Sequence, residues 1–124
     1  MDQKTIFRSI AERTGLSREE SADVTRAALE GLATQLSEGE VRHLAVELPP
    51  PLAEQFQAPG RKREEAHPVA AEDFIRQLSS RTGLKAEDAR AGVGAVLDTL
   101  RETLGAEDYR HFLAQLPNEY TKLG

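Results

Sequence analysis

The sequence predicts an all-α fold in which a four-helix unit occurs twice in tandem and packs as one pseudo-two-fold helical domain. Three observations lead there. Sliding the chain by 68 positions aligns residues 6–56 with residues 74–124 without a gap, and fourteen positions are identical. Among them are Arg13/Arg81, Thr14/Thr82, Gly15/Gly83, Leu16/Leu84, Leu29/Leu97, Leu32/Leu100, Leu36/Leu104, Arg42/Arg110, His43/His111, Leu48/Leu116 and Pro49/Pro117. Apolar residues recur at helical spacing in both copies. Capping and breaking residues punctuate both copies at matching places. The expected organisation is a first repeat over residues 1–56, a linker over 57–68 and a second repeat over 69–124, with the repeats packed together.

The first helix is expected from about Gln3 to Thr14, capped by Asp2. Gly15 follows where a left-handed residue is wanted, since glycine has no Cβ to clash there. Ser17-Arg18-Glu19-Glu20 is a capping box: Ser17 can accept from the amide three residues on, and Glu20 can reach back. It opens a second helix to about Leu36. Ser37-Glu38-Gly39-Glu40 repeats the pattern and opens a third, to about Glu47. Leu48-Pro49 ends it. Pro50 and Pro51 suit the first turn of a short fourth helix, where no amide is needed. The second repeat follows the same plan, except that Lys85 stands where Ser17 caps, which predicts a softer helix start.

Periodicity places the core. Val93, Val96, Leu97, Leu100 and Leu104 share one face of the long helix of repeat two, and Thr25, Ala28, Leu29, Leu32 and Leu36 match them in repeat one. A second stripe is small: Val24, Ala27 and Gly31 in one, Gly92, Ala95 and Thr99 in the other. A glycine inside a helix costs about 1 kcal/mol relative to alanine. Close packing against Gly31, Gly92 and Gly94 would offset it, so the two long helices are expected to meet along this stripe. Simple tolerance of the glycines is the alternative.

Composition narrows function more than it names it. The 124 residues are 39% hydrophobic and 30% charged, as in a globular helical protein, with net charge −5. Residues 1–56 carry six basic against ten acidic side chains, and residues 69–124 carry seven against nine. A phosphate-gripping surface usually shows the opposite sign. Cysteine is absent, which excludes disulfides, thiolate zinc sites and cysteine nucleophiles. With no apolar run behind Met1 and none long enough to span a bilayer, a cytoplasmic location is expected and no membrane association. The linker holds Pro59-Gly60, a turn signal, and Arg61-Lys62-Arg63, which Glu64-Glu65 nearly neutralise.

No catalytic motif emerges. No nucleophile elbow surrounds a serine or threonine, and Gly92-Val93-Gly94 lies in a helix rather than a phosphate loop. The acidic pairs sit mostly at helix starts, where the helix dipole favours them. No cofactor or metal site is expected, since neither His43 nor His111 has a second histidine three or four residues away. What remains is a candidate contact surface. The repeated pairs Arg42-His43 and Arg110-His111 project away from the apolar face of their helices. They form either a symmetric site for a partner or ligand, or an exposed pair inherited twice. The Leu-Pro closures add Pro49, Pro117 and Tyr120, either as caps on the bundle or as the wall of a groove for a partner helix.

These motifs resemble the uncharacterised bacterial domain-of-unknown-function family 2267 over both repeats. The resemblance rests on the helical starts at Ile6 and Phe74, the Gly-Leu turns with their acidic helix starts, and the closures Ala45-Val46-Glu47-Leu48-Pro49 and Leu113-Ala114-Gln115-Leu116-Pro117. It implies a fold and no activity. Residues 2–40 are also similar to the helical half of the histone-like nucleoid proteins, which pair through such helices and grip DNA with basic β-arms. After Glu40 this chain reads as a further helix, not as strands. The expectation is therefore a non-enzymatic interaction module binding a protein partner or itself. The alternatives are a DNA-associated helical protein using Arg13, Arg81 and Arg61–Arg63, or a small-ligand binder using the Arg-His pairs.

Overall fold

A computed structural model describes residues 2–58 and 67–123. Its elements are α1 (Gln3–Thr14), α2 (Arg18–Ala33), α3 (Glu38–Ala45), α4 (Pro50–Gln57), α5 (Ala71–Thr82), α6 (Ala86–Leu104) and α7 (Ala106–Ala114), closed by a 3-10 helix (Asn118–Lys122). No strand occurs among the described residues. The local signals behave as capping chemistry requires. The Thr5 amide donates to Asp2 at 2.8 Å, and both bonds of the Ser17/Glu20 box form, at 3.1 and 2.9 Å. Gly15 and Gly83 are left-handed, at φ 79° and 77°.

Two element ends and one element type depart from expectation. The second helix stops at Ala33 rather than near Leu36, because the Thr34 hydroxyl donates back to the Gly31 carbonyl and the following turn tightens to i→i+3 bonds. The same tightening ends α3 at Ala45 rather than Glu47. In the second half the fourth element is a 3-10 helix, not an α-helix. Asn118 and Glu119 replace the two prolines that start α4, and Glu119 is drawn off to accept from the Ala71 amide at 2.6 Å. That contact supplies a cap for α5, which has no side-chain cap of its own at Ala70.

The central layer is α1, α2, α5 and α6. Helix α1 packs on α2 and α6, and α5 packs on α6 and α2. Adding 68 to a residue number turns α1 into α5 and α2 into α6, so the contact of α1 with α6 becomes that of α5 with α2. The pairing is reciprocal, as a two-fold arrangement demands. Helices α2 and α6 meet along the small stripe, where a Cβ on Gly92 would lie 2.7 Å from Val24 Cγ2. The other two glycines serve different neighbours. The Phe74 ring of α5 fills the space beside Gly31, and the Leu123 carbonyl that beside Gly94. Both apolar faces read from the periodicity are buried throughout. Helix α4 lies against α2 and α3, and α7 against α6, so the short helices stand at the ends of the central layer.

Candidate functional site

The residues retained in both halves fall into two groups, those that build the fold and those that meet at a surface. Arg13-Thr14-Gly15-Leu16 and its counterpart Arg81-Thr82-Gly83-Leu84 belong to the first. The Thr14 and Thr82 hydroxyls each donate to a carbonyl four residues back at 2.7 Å and accept from the amide of Leu16 or Leu84. The two arginines cross between halves: Arg13 pairs with Asp98 at 3.5 Å and with Glu102, and Arg81 pairs with Glu30 at 3.3 Å. Asp98 is the counterpart of Glu30, so the pairs are reciprocal. The guanidinium groups singled out for a phosphate backbone are thus engaged within the molecule. The basic run Arg61-Lys62-Arg63 lies outside the described residues.

The Leu-Pro closures belong to the fold as well. Pro49 is buried, Pro117 is half-buried and Tyr120 is fully enclosed, which removes Pro49 and Tyr120 from the expected contact surface. The reason is a closed polar ring. Gln35 Nε2 donates to the Tyr120 hydroxyl at 2.9 Å, that hydroxyl donates to the Val69 carbonyl at 2.7 Å, and the Val69 amide donates to Gln35 Oε1 at 2.9 Å. Burial pushes the Tyr120 hydroxyl up to about 12. Glu119 and Asp73 add to this, and the Gln35 hydrogen bond opposes it. The Tyr120 ring also packs on Phe74, with centroids 5.9 Å apart.

His43 and His111 form the second group. They remain exposed, at 62% and 74% of the side chain, as their helical phase predicts. Each faces an acid of the opposite half. His43 Nε2 lies 3.4 Å from Asp108 Oδ1, and His111 Nδ1 lies 3.7 Å from Glu40 Oε2. Asp108 is the counterpart of Glu40, so this pair of contacts is reciprocal too. Together with Glu107 these four residues line a cleft of about 320 Å³ between α3 and α7. Glu40 is the most enclosed of the paired groups, with 12% of its side chain exposed, and its Oε1 is shut off from solvent without a hydrogen-bond partner. A carboxylate oxygen in that condition carries uncompensated desolvation.

The arginines of the repeated pairs do not join this cleft. Arg42 is exposed and reaches Glu38 of its own helix at 4.0 Å; Arg110 is exposed. The repeated histidines therefore meet at this cleft, and their companions there are not the arginines. The companions are acids three residues earlier, in Glu40-Val41-Arg42-His43 and Asp108-Tyr109-Arg110-His111. Their signal was a conserved sign of charge between the copies, Glu in one and Asp in the other. Sequence alone assigns Glu40 to the capping pattern and Asp108 to the helix dipole. As the side chains stand, no three His, Asp or Glu among the described residues are grouped to hold one metal ion. No helix among them is long and apolar enough to cross a membrane. Val46, at 80% exposure, is the one large apolar side chain left exposed among them.

No curated protein matches the chain. A family model described as "Uncharacterized conserved protein (DUF2267)" matches residues 3–123, nearly the whole of the described structure. The chain belongs to the DUF2267 family.

Proposed function

We propose that the chain is a non-enzymatic interaction module whose contact region is the cleft between α3 and α7, and that it takes up a lysine- or arginine-bearing segment of a protein partner. The observation that carries this reading is the charge of the cleft. Glu40, Glu107 and Asp108 line it, and Glu40 Oε2 and Asp108 Oδ1 face it beside the two histidines. An ammonium or guanidinium group donates charge-assisted hydrogen bonds to such carboxylates. Partner binding through a broad apolar patch finds little support, because Val46 stands out as the exposed large apolar residue. The DNA-associated alternative is weakened by the ion pairs that occupy Arg13 and Arg81. It would show as a salt-sensitive gel shift with duplex DNA.

The partner reading is tested by amide NMR titration of the full chain with a short alternating lysine–alanine peptide, and with a glutamate–alanine peptide as control. The expected result is a set of shifts confined to α3 and the first turns of α7, produced by the lysine peptide alone and abolished by Glu107→Lys. No localised shift, or equal shifts at every acidic helix start, overturns the proposal.

A further inference from the structure

We infer that the face by which the two halves meet is a recognition surface for the unlike half of a second copy of this chain. Two copies exchange halves, and each first half packs on the other copy's second half. The inference concerns the join of the halves and stands apart from what the α3–α7 cleft takes up. In such a dimer each cleft is built by both copies, since α3 and α7 come from different halves.

The first support is reciprocity. Helix α1 packs on α6 as α5 packs on α2. Arg13 reaches Asp98 as Arg81 reaches Glu30, and His43 faces Asp108 as His111 faces Glu40. These contacts form equally well whether the second half belongs to the same chain or to another, which makes exchange of an identical element a low-cost route to a dimer. Cysteine is absent, so the stretch of chain between Ala58 and His67 is the one covalent tie between the halves.

The second support is complementary size across the join. Val24 fills the space that Gly92 leaves open, where a Cβ would lie 2.7 Å from Val24 Cγ2. The Phe74 ring fills the space beside Gly31 in the same way, and a Cβ on Gly31 would run into it. The counterpart of Phe74 is Ile6, and that of Gly31 is Thr99. Those two line one small apolar cavity, the smaller knob beside the fuller position. Val24, Phe74, Ile6 and Thr99 are all buried. Each half thus carries a large side chain where the other carries a gap.

The third support is the fate of like halves. Two first halves would set Val24 against Val24 and leave Ile6 short of Gly31. Two second halves would drive Phe74 onto Thr99 and leave Gly92 empty against Gly92. Both like pairings combine an overlap with a void, and a close-packed core is destabilised by either. Rejection of a wrong partner is a specificity device. Within one chain it has nothing to reject, because a first half meets no other first half there. It acts where halves of different chains meet, and there it directs first to second.

The test mixes two full-length variants, each mispaired within its own chain. Gly92→Val sets a valine against Val24, and Val24→Gly leaves Gly92 facing a gap. Each alone should lower the melting temperature by about 5 °C or more. Unfolded together in urea and refolded by dilution, the two should form a heterodimer. One of its lobes joins the unaltered first half to the unaltered second half. The other joins the two altered halves, with knob and gap exchanged. Native mass spectrometry separates this species from either homodimer by mass, and it should exceed each of them by at least about tenfold. Both substitutions in one chain should recover part of the melting temperature that either loses. Refolding that yields no heterodimer, or dimers in merely statistical proportion, overturns the inference. Single variants as stable as the parent, or a double variant no better than the worse single one, overturn the complementarity on which it rests.

Discussion

Val24 and Gly92 are counterparts in the two halves, since 24 + 68 = 92, and they face each other where α2 crosses α6. A residue that meets its own counterpart lies on the axis relating the two halves. One half supplies a β-branched side chain there and the other supplies none. A Cβ at position 92 would stand 2.7 Å from Val24 Cγ2, and Val24 is wholly buried with few rotamers to move into. Gly92→Leu should therefore destabilise the protein by about 3 kcal/mol or more, against the roughly 1 kcal/mol that removing a helical glycine returns. Thermal unfolding decides it, and an unchanged melting temperature would refute the axial packing. In Gly92→Ala the loss should be smaller, and Val24→Ala should recover part of it, a coupling that a double-mutant cycle reads directly.

That crossing was half legible in the sequence. The register of 68 and the small stripe are properties of the letters, so the join of α2 to α6 could be anticipated. The partners of the other glycines could not. Phe74 reaches Gly31 from α5, and the Leu123 carbonyl reaches Gly94 from the chain's end. Nothing local in either glycine's surroundings names so distant a neighbour. The candidate site shows the same division. Helical phase alone put His43 and His111 outside. Their pairing with Asp108 and Glu40 depends on α3 and α7 being laid side by side by the halves, which no spacing within one helix encodes.

Ser17 and Lys85 occupy one position in the two halves and share its backbone geometry. Their φ, ψ values are −68°, 167° and −63°, 154°. Only Ser17 caps its helix. Lys85→Ser should install the missing bond to the Asp88 amide and stabilise the protein by about 0.5–1 kcal/mol. The reverse change, Ser17→Ala, should cost about the same or somewhat more. Chemical denaturation of the two variants reads both signs. A Lys85→Ser variant no more stable than the parent would show that α6 gains nothing from a cap.

Arg13 and Arg81 tie the halves together at the surface, with side chains 35% and 52% exposed. Solvent and salt screen such pairs, so each is expected to contribute less than about 1 kcal/mol. A double-mutant cycle of Arg13→Ala with Asp98→Ala should give a coupling in that range which shrinks as salt is raised. A coupling that persisted in 1 M salt would mean that the pair is far better shielded than its exposure indicates.

Tyr120 carries the pH dependence. Burial raises its hydroxyl to about 12, against about 10 in the unfolded chain. The raised value means that the folded state favours the neutral phenol. The associated stability is fully present below pH 10 and is lost as pH rises through 12. Its size is on the order of 2–3 kcal/mol. Tyr120→Phe should remove this alkaline limb while lowering stability at neutral pH by about 1–3 kcal/mol, because Gln35 and the Val69 carbonyl lose their shared partner. Urea unfolding measured between pH 8 and 12 separates the two effects. The parent should lose stability steeply above pH 10 relative to the variant, since the other tyrosine, Tyr109, is raised by burial in both and cancels in the difference. Parallel curves would show that the Tyr120 hydroxyl ionises as readily inside the bundle as outside it, and the Gln35–Tyr120–Val69 ring would then not be the closure of the second half.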